Sequence, residues 1–177
     1  MRAVVIYESM YGNTHLIAGA IADGLRTSSE VAVVPVDGAD EALLAGADLV
    51  VVGGPTHVHV LSRESTRTAA VEAAQKPESG VELDPDAEGE GLREWFDALG
   101  DVRKGTAGAA FDTRAHAPAA ITGRASKGIA KRLRAHGFEL VTEPESFLVT
   151  KDNHLEDHEI EHAKEWGTRL LAAVTGH

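Results

Sequence analysis

The sequence predicts an α/β fold with a doubly wound parallel sheet, on the basis of two observations. Strand-like apolar runs alternate with helix-like segments along the whole chain. The runs 3–7 and 48–53 are also apolar at nearly every position, which is typical of strands covered by helices on both faces. Five strands separated by helices imply right-handed crossovers. The chain has 177 residues, and we predict one domain over 1–177.

The N-terminal part is predicted to contain three strands and two helices. The strands are rich in Val and Ile, and the first helix has an apolar period that ends near a Thr-Ser-Ser turn. Asp40 is the expected cap of the second, short helix. In chain order these elements are strand 3–7, helix 14–25, strand 31–36, helix 40–45 and strand 48–53.

The C-terminal part is predicted to contain the two remaining strands and four helices. Pro144 divides the last strand into two pieces. The closing helix carries an expected apolar stripe of Ile160, Ala163, Trp166, Leu170 and Val174. In chain order the elements are helix 64–75, helix 92–99, strand 106–111, helix 126–136, strand pieces 138–141 and 146–149, and helix 155–174.

The segment 77–91 is acidic and rich in Pro and Gly. We expect a solvated surface loop there, because such composition does not bury enough apolar area to form a core. A lid or a docking loop is the alternative interpretation.

Composition excludes several classes of function. The formal net charge is −11, which argues against binding to nucleic acid, and the chain has no cysteine for disulfides or thiolate chemistry. No apolar run is long enough to span a membrane, and no cleavable signal precedes the first strand. We therefore expect a cytoplasmic protein without a membrane partner.

The most informative motif is the loop between the first strand and the first helix. It consists of Ser9, Met10, Tyr11, Gly12, Asn13 and Thr14. Unpaired backbone N–H groups and the helix dipole favour an anion at such a helix start, and the hydroxyl and amide side chains add donors. The loop has neither the lysine of a nucleotide P-loop nor a Gly-x-Gly-x-x-Gly fingerprint. A single phosphate held by neutral donors is the predicted ligand, and an ordinary capped turn is the alternative.

This region resembles the flavodoxin family signature, whose apolar, hydroxyl and small positions recur here at the same spacings. The matching residues are Val5, Ile6, Tyr7, Ser9, Gly12, Thr14, Ala18 and Ile21. The resemblance implies a flavodoxin-like three-layer sandwich whose five-stranded parallel sheet has the order 2-1-3-4-5. It also implies a crevice between strands one and three, FMN as the cofactor, and the interrupted fifth strand of short-chain flavodoxins.

The resemblance assigns three loops to the cofactor. Ser9, Met10, Tyr11, Gly12, Asn13 and Thr14 would hold the phosphate. Pro55, Thr56 and His57 would line one side of the flavin ring. The loop after strand four, with Asp112, Thr113, Arg114 and His116, would line the other side. An ion pair between Arg114 and Asp112 is the structural alternative for that arginine. No catalytic acid or base is assigned, because the flavin would supply the chemistry.

Nine histidines raise the alternative of a metal site. His154, His158 and His162 recur at helical spacing, and His57, His59 and His116 could meet at the crevice mouth. Neither group has a cysteine or a His-Glu-x-x-His motif, so no metal site is predicted.

The resemblance implies electron transfer, or two-electron reduction of a small acceptor such as a quinone. The partner would be a redox protein or a small-molecule acceptor, and the acidic surface would suit a basic redox partner. Flavodoxins stack the ring between aromatic side chains, whereas this chain has only two Trp and two Tyr, of which Tyr11 alone lies on a ligand loop. The alternative is therefore a flavodoxin-fold binding or interaction protein that has lost FMN and redox activity.

Overall fold

A computed structural model describes residues 1–56 and 61–176. Within these ranges six strands form one sheet, and all of its strand pairs are parallel. The strands are β1 (Arg2–Tyr7), β2 (Glu30–Pro35), β3 (Leu49–Pro55), β4 (Ala107–Ala115), β5 (Glu139–Leu140) and β6 (Glu145–Val149). The α-helices are α1 (Asn13–Leu25), α2 (Glu41–Ala45), α3 (Glu64–Ala74), α4 (Leu92–Ala98), α5 (Ala119–Thr122), α6 (Ala125–Ala135) and α7 (Glu159–Thr175).

The strand order is β2-β1-β3-β4-β5, and β6 also pairs with β4. The predicted order 2-1-3-4-5 is confirmed. The break at Pro144 is confirmed too, because β5 pairs with the start of β4 and β6 pairs with its end. The fifth position of the sheet is thus one interrupted strand.

Helices cover both faces of the sheet, which gives the predicted three layers. On one face α1 and α7 bury Ile17, Ile21 and Trp166 against Val5 and Phe111. On the other face α4 and α6 bury a second apolar cluster against the sheet, with Phe96, Ile129 and Leu133 in the same cluster as Val50 and Val52. Burial on both faces explains why the central strands are apolar at successive positions.

Both central strands run further than predicted. Strand β3 continues to Pro55 and β4 to Ala115, so Asp112, Thr113 and Arg114 lie in a strand and not in a loop. The reason is pairing on both sides: Thr113 is in register with Pro55 of β3 and with Phe147 of β6. A central strand keeps its ladder even where its residues are polar.

The closing helix begins at Glu159, four residues later than predicted at 155. The chain first makes a turn in which Leu155 bridges back to Val149, and Asn153 and His158 adopt positive φ angles of 61° and 69°. Ala163, Trp166 and Leu170 of the expected stripe are buried, but Ile160 is 46% exposed. The placement of Ile160 in the buried stripe is therefore wrong.

The segment 77–91 contains neither helix nor strand, as predicted. It is not fully solvated, however, because Asp84 and Ala87 are buried. Met10 and Ala70 pack against Ala87, and the N–H of Asp84 donates to the carbonyl of Met10 at 2.8 Å. The segment therefore lies on the loop that follows β1.

Among the described residues no helix combines the length and hydropathy required to span a bilayer.

Candidate functional site

The loop of residues 9–14, called loop 9–14 below, begins where β1 ends and leads into α1. Gly12 stands at the N-cap of the helix with φ +89°, a conformation that glycine adopts without the Cβ penalty of other residues. The N–H of Gly12 donates to Ser9 Oγ at 3.1 Å, which folds the loop back on itself. The first helical bond runs from Leu16 N to Gly12 O at 2.9 Å.

Several backbone donors of this loop have no acceptor in the described part of the chain. They are the N–H groups of Met10, Tyr11, Asn13 and Thr14, together with that of His15, the next residue of α1. Three of them belong to the first turn of α1, where the helix dipole places partial positive charge. Such a group of N–H donors at a helix start is suited to an anion.

The hydroxyl of Thr14 is buried and lies 2.8 Å from the hydroxyl of Thr113 on β4. Each hydroxyl has one proton, so the pair uses one proton for its own bond and keeps one for a further acceptor. Ser9 Oγ already accepts from Gly12, and its proton is likewise free to be donated. The loop therefore offers neutral hydroxyl donors beside its N–H groups.

The side chain of Asn13 does not add to this donor set. Its amide nitrogen donates to the carbonyl oxygen of Asn153 at 2.9 Å and to its side-chain oxygen at 3.1 Å. These bonds fasten loop 9–14 to the turn between β6 and α7. In this structure Asn13 thus positions a neighbouring turn.

A cleft of about 200 Å³ opens beside loop 9–14 at the carboxyl ends of the strands. It is lined by Met10, Tyr11, Asn13, Thr14, Pro55, Thr56, Thr113, Arg114, Ala115, Val149, Thr150, Lys151 and Asn153. The structure thus brings residues of all three predicted loops together. Carboxyl ends of parallel strands meet at one edge of the sheet, where ligands bind in this class of fold.

Among the described residues that line this cleft, Tyr11 is the one aromatic residue. Its hydroxyl donates to the carbonyl of Ala70 at 3.3 Å, and burial raises the pKa of the phenol above its ordinary value. The ring is therefore neutral and held against α3. The remaining walls are threonine, proline, aliphatic and backbone groups together with the charged ends of Arg114 and Lys151.

Four of the predicted site residues are not among those that line the cleft: Ser9 and Gly12 of loop 9–14, and Asp112 and His116. Asp112 is fully buried within β4, and its Oδ2 accepts from Ser126 N at 2.7 Å, so it caps α6. His116 follows β4, and its Nδ1 lies 2.8 Å from Glu156 Oε1. His57 lies outside the described residues.

Arg114 lines the cleft, but its guanidinium does not pair with Asp112. It donates to the carbonyl of Ala117 at 2.7 Å and to Thr122 Oγ1 at 3.3 Å. The alternative of an ion pair with Asp112 is therefore wrong for the described structure. Arg114 organises the chain between β4 and α6.

Three cleft residues that follow β6 were not predicted from the sequence, namely Thr150, Lys151 and Asn153. The predicted strand order was sufficient to place these residues at the cleft. Strand β6 is parallel to β4, so the residues after it must emerge at the same edge as the other loops. Lys151 adds an ammonium group that the three predicted loops do not supply.

The residue before loop 9–14 carries a buried carboxylate that is held by two hydrogen bonds. Glu8 is 6% exposed, and its Oε2 accepts from Leu92 N at 2.9 Å while its Oε1 accepts from the hydroxyl of Ser62. The carboxylate thus joins the end of β1 to the starts of α3 and α4.

The histidines singled out as alternative metal ligands do not gather into a site in the described structure. His162 Nδ1 lies 2.9 Å from Glu159 Oε2 and its Nε2 lies 3.8 Å from Glu145 Oε1, so these carboxylates face opposite nitrogens. The group of His57, His59 and His116 includes two residues outside the described ranges.

Comparison with known proteins gives a family-model match over part of the chain and a shared fold over all of it. The family model for flavodoxin matches residues 5–80. A search of curated proteins by sequence found no match. A flavodoxin from the domain Archaea superposes with a TM-score of 0.65 and 21% identity, covering 99% of each chain.

Two bacterial structures agree with this result. Oxidised Flavodoxin 1 from Bacillus cereus has a TM-score of 0.65 and 21% identity over 100% of this chain and 99% of that one. A flavodoxin from Streptococcus pneumoniae TIGR4 has a TM-score of 0.61 and 19% identity over 98% and 99% of the two chains. At these sequence identities, the structural similarity establishes a shared fold and no shared function. Loop 9–14 lies inside the matched family model, and the chain shares the flavodoxin fold over its whole length.

Proposed function

We propose that the chain binds FMN at loop 9–14 and the adjoining cleft and serves as an electron carrier. One observation carries the proposal: five backbone N–H groups of this loop and helix start have no acceptor among the described residues, and they lie beside a cleft at the strand ends. The family match and the flavodoxin structures of the same fold support it.

The phosphate group fits the donors that the chain provides. The N–H groups of Tyr11, Asn13 and Thr14 would surround it, and the free protons of Ser9 and the Thr14–Thr113 pair would complete the set. Neutral donors bind a dianion without the desolvation cost of an opposing buried charge.

The cleft walls fit one end of a planar ring. Pro55 and Thr56 end β3 on one side, and Ala115 and Val149 end β4 and β6 on the other. Such walls exclude water from a bound ring, and backbone groups can hydrogen-bond its polar edge. FMN, when bound, supplies the electron-transfer chemistry.

A more specific version of this proposal is an enzyme that reduces a quinone by two electrons. It requires a proton donor next to the acceptor. Among the described residues that line the cleft there is no carboxylate and no imidazole, and Lys151 and Tyr11 are the acidic N–H and O–H groups present. Lys151 and Tyr11 would therefore be the candidate proton donors of the reductase reaction.

A specific observation also supports the second candidate, a flavodoxin-fold protein without FMN. The amide of Asn13 is bonded to Asn153, and the cleft of about 200 Å³ is smaller than the roughly 300–1,000 Å³ of typical cofactor pockets. A ligand-free interaction protein would keep this arrangement, whereas FMN binding requires the turn at Asn153 to move outward.

The test is a titration of the purified protein with FMN, followed by the quenching of flavin fluorescence. Saturable quenching at one FMN per chain supports the proposal. Absence of binding at high micromolar FMN rejects it and favours the second candidate. Oxidation of NAD(P)H with a quinone present then distinguishes a reductase from a carrier.

A pair of glycine variants makes this titration specific to loop 9–14. Gly12 and Gly80 both have positive φ, of 89° and 62°. Ala strains the backbone at either position, but only Gly12 lies in loop 9–14. Gly12→Ala should weaken FMN binding while Gly80→Ala leaves it unchanged, and equal effects would contradict the assignment.

A further inference from the structure

We propose that His15, Asp84 and Asp86 form a binding site for a divalent transition-metal ion on the outer side of loop 9–14. One potential ligand atom from each of these residues lies within 4.8 Å of the others. His15 belongs to the first turn of α1, and the two aspartates belong to the segment 77–91. The site is separate from the proposed FMN cleft, none of whose lining residues belongs to it.

The ring of His15 is oriented by Tyr7, and this orientation exposes a lone pair. The hydroxyl of Tyr7 donates to Asp86 Oδ2 at 2.8 Å, so its oxygen is free to accept from His15 Nε2 at 3.1 Å. The two rings also stack, with centroids 4.3 Å apart and planes at 18°. In a neutral imidazole the proton then lies on Nε2, and Nδ1 carries an unshared electron pair.

That electron pair points toward another acceptor. His15 Nδ1 lies 3.1 Å from Asp84 Oδ2, and a neutral ring in this tautomer has no proton to place between them. Two acceptors at this distance repel each other unless a cation joins them. The cation is either a proton on Nδ1 or a metal ion bound by both atoms.

The charge balance around the site favours the metal ion. The side chain of Asp84 is 2% exposed, and among the described residues no Arg or Lys forms an ion pair with Asp84 or Asp86. A proton on His15 compensates one carboxylate and leaves the second uncompensated. A divalent ion compensates both, which matters most for Asp84, because a buried carboxylate requires a partner charge whereas Asp86 is exposed to solvent.

The donor set selects the class of metal. One imidazole nitrogen and two carboxylate oxygens suit Zn²⁺, Co²⁺ or Mn²⁺, whereas Ca²⁺ and Mg²⁺ prefer oxygen ligands alone. Tyr7 would act in the outer shell, because it holds both Asp86 and the ring of His15 in place. Water can fill the remaining positions, since the His15 side chain is 46% exposed.

The bound ion would fasten the segment 77–91 to loop 9–14. A backbone bond already joins these parts of the structure, since Asp84 N donates to Met10 O at 2.8 Å. Within the segment, Asp86 N donates to Asp84 Oδ1 at 3.0 Å, which holds the two aspartates together. A metal shared by α1 and this segment adds a cross-link between residues 69 positions apart.

His162 provides a matched control, because it also stands between two carboxylates. Glu159 faces its Nδ1 at 2.9 Å and Glu145 faces its Nε2 at 3.8 Å, so the three groups cannot bind one ion together. A merely acidic environment around a histidine would bind metal equally at His162 and at His15.

The experiment titrates the flavin-free protein with Zn²⁺ by calorimetry and with Co²⁺ by visible absorption. We expect one ion per chain, and binding at least tenfold weaker in His15→Gln and in Asp86→Asn, with His162→Gln like the wild type. Both mutated residues are exposed, so these variants retain the fold, and circular dichroism verifies this. Absence of binding at millimolar metal, or equal binding by His15→Gln and the wild type, overturns the proposal. Neither result depends on whether FMN binds.

Discussion

The hydroxyl oxygens of Thr14 and Thr113 lie 2.8 Å apart in the protein interior. The contact joins the first turn of α1 to β4, over a separation of 99 residues. Both residues also line the cleft, so the pair stabilises the fold and keeps one hydroxyl proton available at the cleft.

This relationship predicts a specific pattern of stabilities. Thr14→Val or Thr113→Val alone leaves the other hydroxyl buried without a partner, and we expect each to lower the free energy of unfolding by about 1–3 kcal/mol. The double variant removes both polar groups and should be less destabilised than the sum of the single variants. Urea denaturation of the four proteins measures the coupling, and additive effects would show that the hydroxyls do not interact.

The same variants test the ligand role of the pair. Thr14→Val should weaken FMN binding by about 1–3 kcal/mol if its hydroxyl donates to the phosphate. The dissociation constant from fluorescence quenching is the measurement. A value equal to that of the wild type would remove Thr14 from the set of phosphate donors and leave the backbone N–H groups in place.

Close contact between α1 and α7 depends on glycine. A Cβ on Gly24 would overlap the carbonyl oxygen of Lys164 and lie 2.9 Å from Thr168 N. Gly24→Ala should therefore destabilise the protein by about 1–3 kcal/mol, because the helices must separate. A Cβ on Gly19 in the same helix would meet no atom within 4 Å, so Gly19→Ala should stabilise the protein by about 0.5–1 kcal/mol. Thermal unfolding of both variants checks this difference, and shifts of the same sign would contradict it.

Acid should weaken one contact at the starts of α3 and α4. Burial raises the pKa of Glu94, but hydrogen bonds from its backbone surroundings and the guanidinium of Arg67, 3.3 Å away, outweigh burial and leave the pKa below its ordinary value of 4.5. A pKa that is lower in the folded state gives stability that is present above pH 4.5 and lost as the pH falls through the folded value.

The variant Glu94→Gln removes this dependence. Its deficit in unfolding free energy relative to the wild type should be largest near neutral pH and should shrink as the pH falls below about 4.5. Asp97→Asn is the charge-matched control, because the pair of Asp97 with Arg132 is exposed and contributes little. A deficit that is constant with pH would show that the Glu94–Arg67 contact is not electrostatic.

The sheet could be predicted from sequence because each central strand is apolar on both faces, as the runs ending at Tyr7 and Gly53 show. The ends of β3 and β4 could not, since Gly54 and Asp112 have loop-like composition. They stay in strands because they pair with each other across the sheet, and such pairing leaves no local pattern.

The candidate site likewise has features that could be predicted from the sequence and features that could not. The geometry of loop 9–14 could be predicted because it depends on the local backbone around Gly12. The burial of Asp84 could not, because its partner His15 is 69 residues away and acidic residues in sequence indicate solvent. The role of Asn13 was equally hidden from the sequence, since Asn153 occupies its amide only in the folded chain.

The cleft contains a cation whose effect on FMN binding can be separated from the general charge of the protein. Lys151 lines the cleft after β6, and Lys104 precedes β4 at the opposite edge of the sheet. One ammonium near a phosphate in water contributes on the order of 1 kcal/mol, or about fivefold in affinity. Lys151→Gln should therefore raise the FMN dissociation constant about fivefold at low salt, while Lys104→Gln, with the same change of net charge, should leave it nearly unchanged. Because exposed charges are screened, the difference should vanish near 1 M salt. Equal effects of the two variants would mean that net charge, and not the position of Lys151, governs the attraction of the anion.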